Sequence, residues 1–166
     1  MAVTSAHDHH GRGPAALALA GFLAAAFAAA AVGGLAGLDA GAYYAGLDRP
    51  AWAPPSGLFG PVWTVLYTLI ALAGWLVWRR AGLRGAPVAF GLYAAQLVLN
   101  AAWTWLFFAG EQAGAAFAEI VVLELVILGN AVVFARVRRA AGLLLVPYLL
   151  WVGYAGALNG TLWLMN

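Results

Sequence analysis

The chain has 166 residues, of which 65% are hydrophobic and only 8% charged, with a formal net charge of +2. A soluble domain keeps roughly a quarter of its residues charged, so a water-facing globule is excluded, and so is disorder, which goes with low hydrophobicity. No cysteine is present, which removes disulfides and thiolate metal sites, and no nucleic-acid partner is expected.

Residues 1–13 form a polar tail. His7, Asp8, His9 and His10 within it are metal-ligand residue types in close order, although a short polar segment of this kind is by default a solvated tail. An uncharged run of 26 residues follows, from 13 to 38. It exceeds the roughly 20 residues that cross a bilayer core as a helix, and it predicts a first span at 14–38. Ala26, Phe27 and Ala28 imitate a signal-peptidase site, but a signal h-region runs only about 7–15 residues. The span is therefore expected to remain in the chain. Gly33 and Gly37 within it have the small-xxx-small spacing that permits close helix approach, either inside a bundle or between two copies.

Residues 39–57 connect to the next span and carry Tyr43, Tyr44, Trp52, Pro54 and Pro55. The prolines stiffen the segment. Its aromatic residues suit either an interfacial belt or a lid over a cavity mouth. The second span is placed at 58–79, where Phe59, Trp63 and Tyr67 follow at i+4 and sweep only about 80° of the helix. In the third, at 86–109, Gln96, Asn100, Trp103 and Phe107 fall within about 60°.

The fourth span, at 113–135, carries Glu119 and Glu124. Its twelve Val, Ile, Leu and Phe residues contribute roughly −4 to −7 kcal/mol to insertion, and two central carboxylates at about +2.5 to +3.5 each nearly cancel that gain. Neighbouring helices or protonation must complete it. Intramembrane carboxylates are candidates for proton handling or ligand anchoring, and Glu124 lies at the depth of Asn100, within reach of a hydrogen bond to it; a protonated structural role is the alternative. The fifth span, at 141–164, aligns Tyr148, Trp151, Ala155, Asn159 and Asn166 within about 80°. Gly156 and Gly160 repeat the small-residue spacing.

Helices or closed barrels alone satisfy a backbone in lipid, and polar alternation is missing, so the fold class is all-α: an integral membrane bundle of five helices in one domain, 14–166. Five crossings place Arg12, Arg79, Arg80, Arg84, Arg136, Arg138 and Arg139 on one side and Arg49 on the other. The positive-inside rule puts the N-terminus in the cytoplasm. The three aromatic and amide stripes can enclose one cavity for a flat, mostly apolar ligand with a few polar edges, or they can be core packing. All three histidines sit in the tail, so no Ser/His/Asp set can be assembled.

Trp52-Ala53-Pro54-Pro55, then Phe59, Pro61-Val62-Trp63-Thr64 and Leu66-Tyr67, resembles the signature of the TspO/MBR family of tryptophan-rich sensory and translocator proteins. Asn100, Trp103, Phe107 and Phe108 resemble that family's third helix, and Pro147, Tyr148, Trp151, Asn159 and Asn166 its fifth. The likeness covers about residues 15–166. It implies a five-helix, commonly dimeric protein of a bacterial envelope membrane that binds porphyrins, including haem, beneath the first long loop, with no obligatory cofactor. Matching positions imply a lining of Trp63, Tyr67, Asn100, Trp103, Trp151 and Ala155, to which the stripes add Phe59, Phe107 and Tyr148, and the first long loop adds Trp52. A tetrapyrrole receptor or regulator is the expected function. The alternatives are a transporter of porphyrins or other amphipathic molecules, with Glu124 as coupling site, and light-dependent porphyrin degradation at Trp63 and Trp151. The family often has Trp-Tyr where this chain has Tyr43-Tyr44. No basic residue follows Arg139, so the sterol motif of mammalian relatives is not expected in the last helix.

Overall fold

The structure, a computed structural model, describes residues 12–37 and 40–166. The histidine cluster of the tail, and Leu38 in the first turn, lie outside the described residues. Among those described there is no strand, and five helical segments are long and apolar enough to cross a membrane.

The first span is α1 (Arg12–Ala36). It turns at Gly37 into a short helix, α2 (Ala40–Gly46), which begins the long connection. A 3-10 turn over Ser56–Leu58 leads into α3 (Phe59–Gly85). Pro61 sits in the first turn of α3, where backbone N–H groups have no intrahelical acceptor to lose. The regular part of α3 breaks at Gly82, whose φ of 66° is left-handed and suits a residue without Cβ. Pro87 opens α4 (Pro87–Thr104), its fixed φ being preorganised for a first helical position. That helix widens into a π turn over Trp105–Ala109 before the hairpin. The fourth span is α5 (Ala113–Val137).

The fifth span differs from the single helix expected over 141–164. It is two helices, α6 (Arg139–Leu144) and α7 (Val146–Met165), divided at Leu145. Pro147 lies in the first turn of α7, where it cannot donate back into α6. α6 folds tightly onto the end of α5: a Cβ on Gly142 would stand 2.6 Å from that of Ala135. Only glycine fits.

Neighbour relations close a ring. α1 packs on α3 and α4, α4 on α5, α5 on α6 and α7, and α6 on α3. Each crossing exposes an apolar flank, for example Leu17, Val65, Val98, Leu125 and Leu150, as a lipid-facing surface requires. Inside, buried amides bond to carbonyls of neighbouring helices: Asn130 Nδ2 donates to Ala89 O at 3.0 Å and Asn159 Nδ2 to Ala113 O at 2.8 Å. Each small-residue pair has one glycine packed closely on a neighbouring helix. A Cβ on Gly33 would stand 3.2 Å from Thr104 Oγ1, and one on Gly160 2.8 Å from the ring of Phe117.

The long connection is tied down at several points. Tyr44 Oη donates to Pro54 O at 3.1 Å, and Tyr154 Oη to Trp52 O at 3.0 Å. Asn166 Oδ1 accepts from the Asp48 N–H at 2.9 Å while its Nδ2 donates to Asp48 O at 3.1 Å.

Candidate functional site

A cavity of about 500 Å³ lies beneath the long connection, between α1, α2, α3 and α4. On the α3 side its wall is Phe59, Trp63 and Tyr67, one stripe at i+4 spacing, with Gly60 and Thr64 between them. α4 and the π turn contribute Trp103, Thr104 and Phe108. The opposite wall is small: Ala30, Gly33 and Gly34 of α1, Gly37 in the turn, then Ala40 and Gly41 of α2. Phe27 at one end and Tyr44 at the other complete it.

The rings are held by one another. Trp63 lies 5.6 Å from Tyr67 and 6.2 Å from Tyr148 between centroids, and Tyr44 meets Phe59 edge-on at 5.6 Å. Trp103 is stacked on Phe107 at 5.4 Å, and its indole N–H donates to Asn159 Oδ1 at 3.0 Å. Fixed rings with apolar faces suit a planar guest.

Behind Tyr67 is a polar triad. Tyr67 Oη donates to Asn100 Oδ1 at 2.5 Å, and Asn100 Nδ2 donates to Tyr148 Oη at 3.0 Å, so the amide uses both ends. Asn100 and Tyr148 are fully enclosed and do not line the cavity. Their reach to a guest passes through the Tyr67 hydroxyl. Asn100 therefore bonds two phenols and not Glu124, as similar depth had suggested. Glu124 lies toward α7, its Oε1 packed where a Gly153 Cβ would be 3.3 Å away.

The fifth-span stripe does not share the main wall. Trp151 packs edge-on against Phe59 at 6.1 Å and beside Tyr154 at 5.6 Å, outside the cavity. Ala155 and Phe107 line a pinhole of about 20 Å³, separated from the main cavity by Tyr44, Phe59, Trp103 and Phe108, which face both. Trp52 is half-exposed and meets Tyr154 at 5.8 Å. Thus Phe59, Trp63, Tyr67 and Trp103 are brought together, Asn100 and Tyr148 stand behind them, and Trp52, Phe107, Trp151 and Ala155 lie elsewhere. The α1 wall carried no aromatic or amide pattern; its one signal was the Gly33 and Gly37 spacing, which also marks helix packing.

Above the cavity, burial pushes the Tyr44 phenol over its ordinary value of 10.0, while the neighbouring Arg49 pulls it back. The guanidinium sits 5.0 Å from the centre of the Tyr44 ring. No group of three or more His, Cys, Asp or Glu side chains able to hold a metal occurs among the described residues.

The sequence model of the TspO/MBR family matches residues 21–164. Similar curated proteins include the translocator protein of Sus scrofa, 39% identical over 126 residues covering 75% of both chains. The tryptophan-rich protein TspO of Chlorobaculum tepidum is 40% identical over 128 residues, 75% of this chain and 79% of that one. The tryptophan-rich sensory protein of Cereibacter sphaeroides is 39% identical over 138 residues, 83% and 84% of the two chains.

Proposed function

The chain belongs to the TspO/MBR family, and from that premise we propose that it is a membrane receptor for a tetrapyrrole, a porphyrin or haem, held in the cavity between α1 and the aromatic wall of α3 and α4. The observation that carries this reading is the cavity itself. Its volume, about 500 Å³, falls in the roughly 300–1,000 Å³ range of small-molecule sites. One face is indole and phenol, the other alanine and glycine, so a flat macrocycle can stack on the first while its second face meets Cα and Cβ atoms closely. The Tyr67 and Thr64 hydroxyls donate to Asn100 Oδ1 and Gly60 O, so what they offer a guest is their oxygen lone pairs, as acceptors for a ring-edge N–H.

The arginine distribution supports a cytoplasmic N-terminus and a cavity mouth on the far side of a bacterial membrane. A ligand would then be taken up beneath the long connection, which the bonds from Tyr154 and Asn166 hold in place.

Titration of purified protein with protoporphyrin IX, followed by porphyrin and tryptophan fluorescence, tests the reading. Trp63→Ala removes a stacking face and is expected to weaken binding about tenfold. Gly34→Phe fills the chamber from its opposite wall: nothing lies within 4 Å of a Cβ at that position, so the helix tolerates the side chain. It should abolish binding. Trp151→Phe, outside the wall, should change it little. Unaltered titrations in both Trp63→Ala and Gly34→Phe would overturn the assignment.

A further inference from the structure

Two more cavities open at the loop end of the bundle, and they share Tyr43 and Glu111. One, of about 510 Å³, extends from Leu35 and Ala36 across Tyr43 to Trp105, Phe108 and Glu111. The other, of about 390 Å³, extends from the same two residues to Gln112, Trp163 and Asn166. Glu111 therefore stands between the two, on a rim that carries the rings of Tyr43, Trp105, Phe108 and Trp163 among aliphatic and small residues. It is also the one non-glycine with positive φ, 51°, among the described residues. Gly110 immediately precedes it in an ordinary right-handed conformation, with φ −87°. A Cβ at Gly110 would stand 3.1 Å from Leu106 O and 3.3 Å from Trp105 O, so the hairpin keeps glycine there for close backbone packing and takes its left-handed turn at Glu111.

That carboxylate is not committed to the nearest cation. Arg49, the one arginine in the segments joining the spans at this end, lies over the Tyr44 ring. A carboxylate flanked by Tyr43, Trp105 and Trp163 combines the two features that recognise an alkylammonium: opposite charge, and aromatic faces for cation–π contact. The rim lies where five apolar crossings meet water, at headgroup depth. Below it runs an exposed apolar flank: Leu35 is 62% and Val32 48% exposed, and Trp105 is anchored to that flank by its indole N–H, which donates to Val32 O at 3.0 Å.

We propose that this rim is a binding site for the ammonium headgroup of a zwitterionic phospholipid, choline or ethanolamine, with Glu111 as counter-charge and the acyl chains lying along Val32 and Leu35. A soluble ammonium ion would use the headgroup contacts but leave the apolar flank unused. The site is separate from the tetrapyrrole cavity, meeting it only at Phe108, and does not depend on that reading.

The test uses the full chain in bilayer discs of equal phosphatidylcholine and phosphatidylglycerol, released for native mass spectrometry so that retained lipids are counted. The wild type is expected to keep the choline lipid in preference to the glycerol lipid. Glu111→Gln and Glu111→Gly should each lower that preference about fivefold, the range of a single lost cation contact. Glu111→Gly relieves the backbone and is expected to unfold at the same or a higher temperature, which separates loss of the site from loss of the fold. An unchanged lipid preference in both variants overturns the proposal. Binding of choline chloride to lipid-depleted protein as tightly as the choline lipid binds would overturn the lipid as occupant, since the flank of Val32 and Leu35 would then contribute nothing.

Discussion

Asn100 shows what one amide does in a hydrocarbon interior. It accepts from one phenol and donates to another, so three helices meet through a single side chain. Replacing it with leucine strands two buried hydroxyls, each costing about 1–3 kcal/mol. Asn100→Leu should therefore lower the thermal unfolding temperature in detergent clearly more than Tyr67→Phe, which leaves the Tyr148 bond intact. That Asn100 gains from partners was legible in the sequence, because an amide in hydrocarbon is costly unpaired, although Gln96, one turn earlier, is buried with neither amide atom bonded. Which partners was not: a helical wheel gives the direction of a side chain along its own helix, not the neighbour that direction meets. Tyr44 offers a second test. Its phenol is raised above 10.0, chiefly by burial, so the neutral form is the one the fold favours. Its contribution is complete below the unfolded pKa and is lost as pH rises through the folded value. Spectrophotometric titration of the phenols should therefore show one fewer late-ionising tyrosine in Tyr44→Phe than in the wild type.

Elements were legible where hydrophobicity is continuous and charges punctuate it. That there are five helices long and apolar enough to cross a membrane follows from four uncharged runs and one costly one. The division of the last crossing was not visible, since residues 140–166 are uninterrupted in composition and only Pro147 hints at a break. Its cause is local: Pro147 denies α6 a continuing bond, and Gly142 lets α6 lie against α5. Gly142→Val would press branched carbons into Ala135, whose Cβ is 2.6 Å from the nearest position available. Overpacking of this kind costs about 1–3 kcal/mol. The variant is expected to unfold earlier while keeping its α3 wall and the porphyrin binding proposed for it, a combination that thermal scans and titration together can check. The α1 wall escaped notice for the opposite reason. Alanine and glycine mark a surface by what they lack, and a pattern of absences looks like filler until the facing rings are in place.

The whole molecule closes as a ring, and one member carries a high cost for entering the membrane by itself. α5 carries two carboxylates whose cost, about +5 to +7 kcal/mol together, offsets most of its apolar gain. In the assembled protein both Glu119 oxygens and Glu124 Oε2 are shielded among the helices. An isolated α5 segment in a translocon insertion assay is expected to insert inefficiently, and the Glu119→Leu, Glu124→Leu double variant to insert almost completely. Equal insertion of both would show that the neighbours contribute nothing. The same ring gives its first member a distinctive position. α1 encloses the main chamber yet rests on only two other helices, burying little beyond Ala26, Gly33 and Ala36. Its outer side therefore bears the sideways push of the acyl chains with no second row of protein behind it. Bilayers that squeeze harder should narrow the chamber, so guest occupancy becomes a gauge of membrane compression.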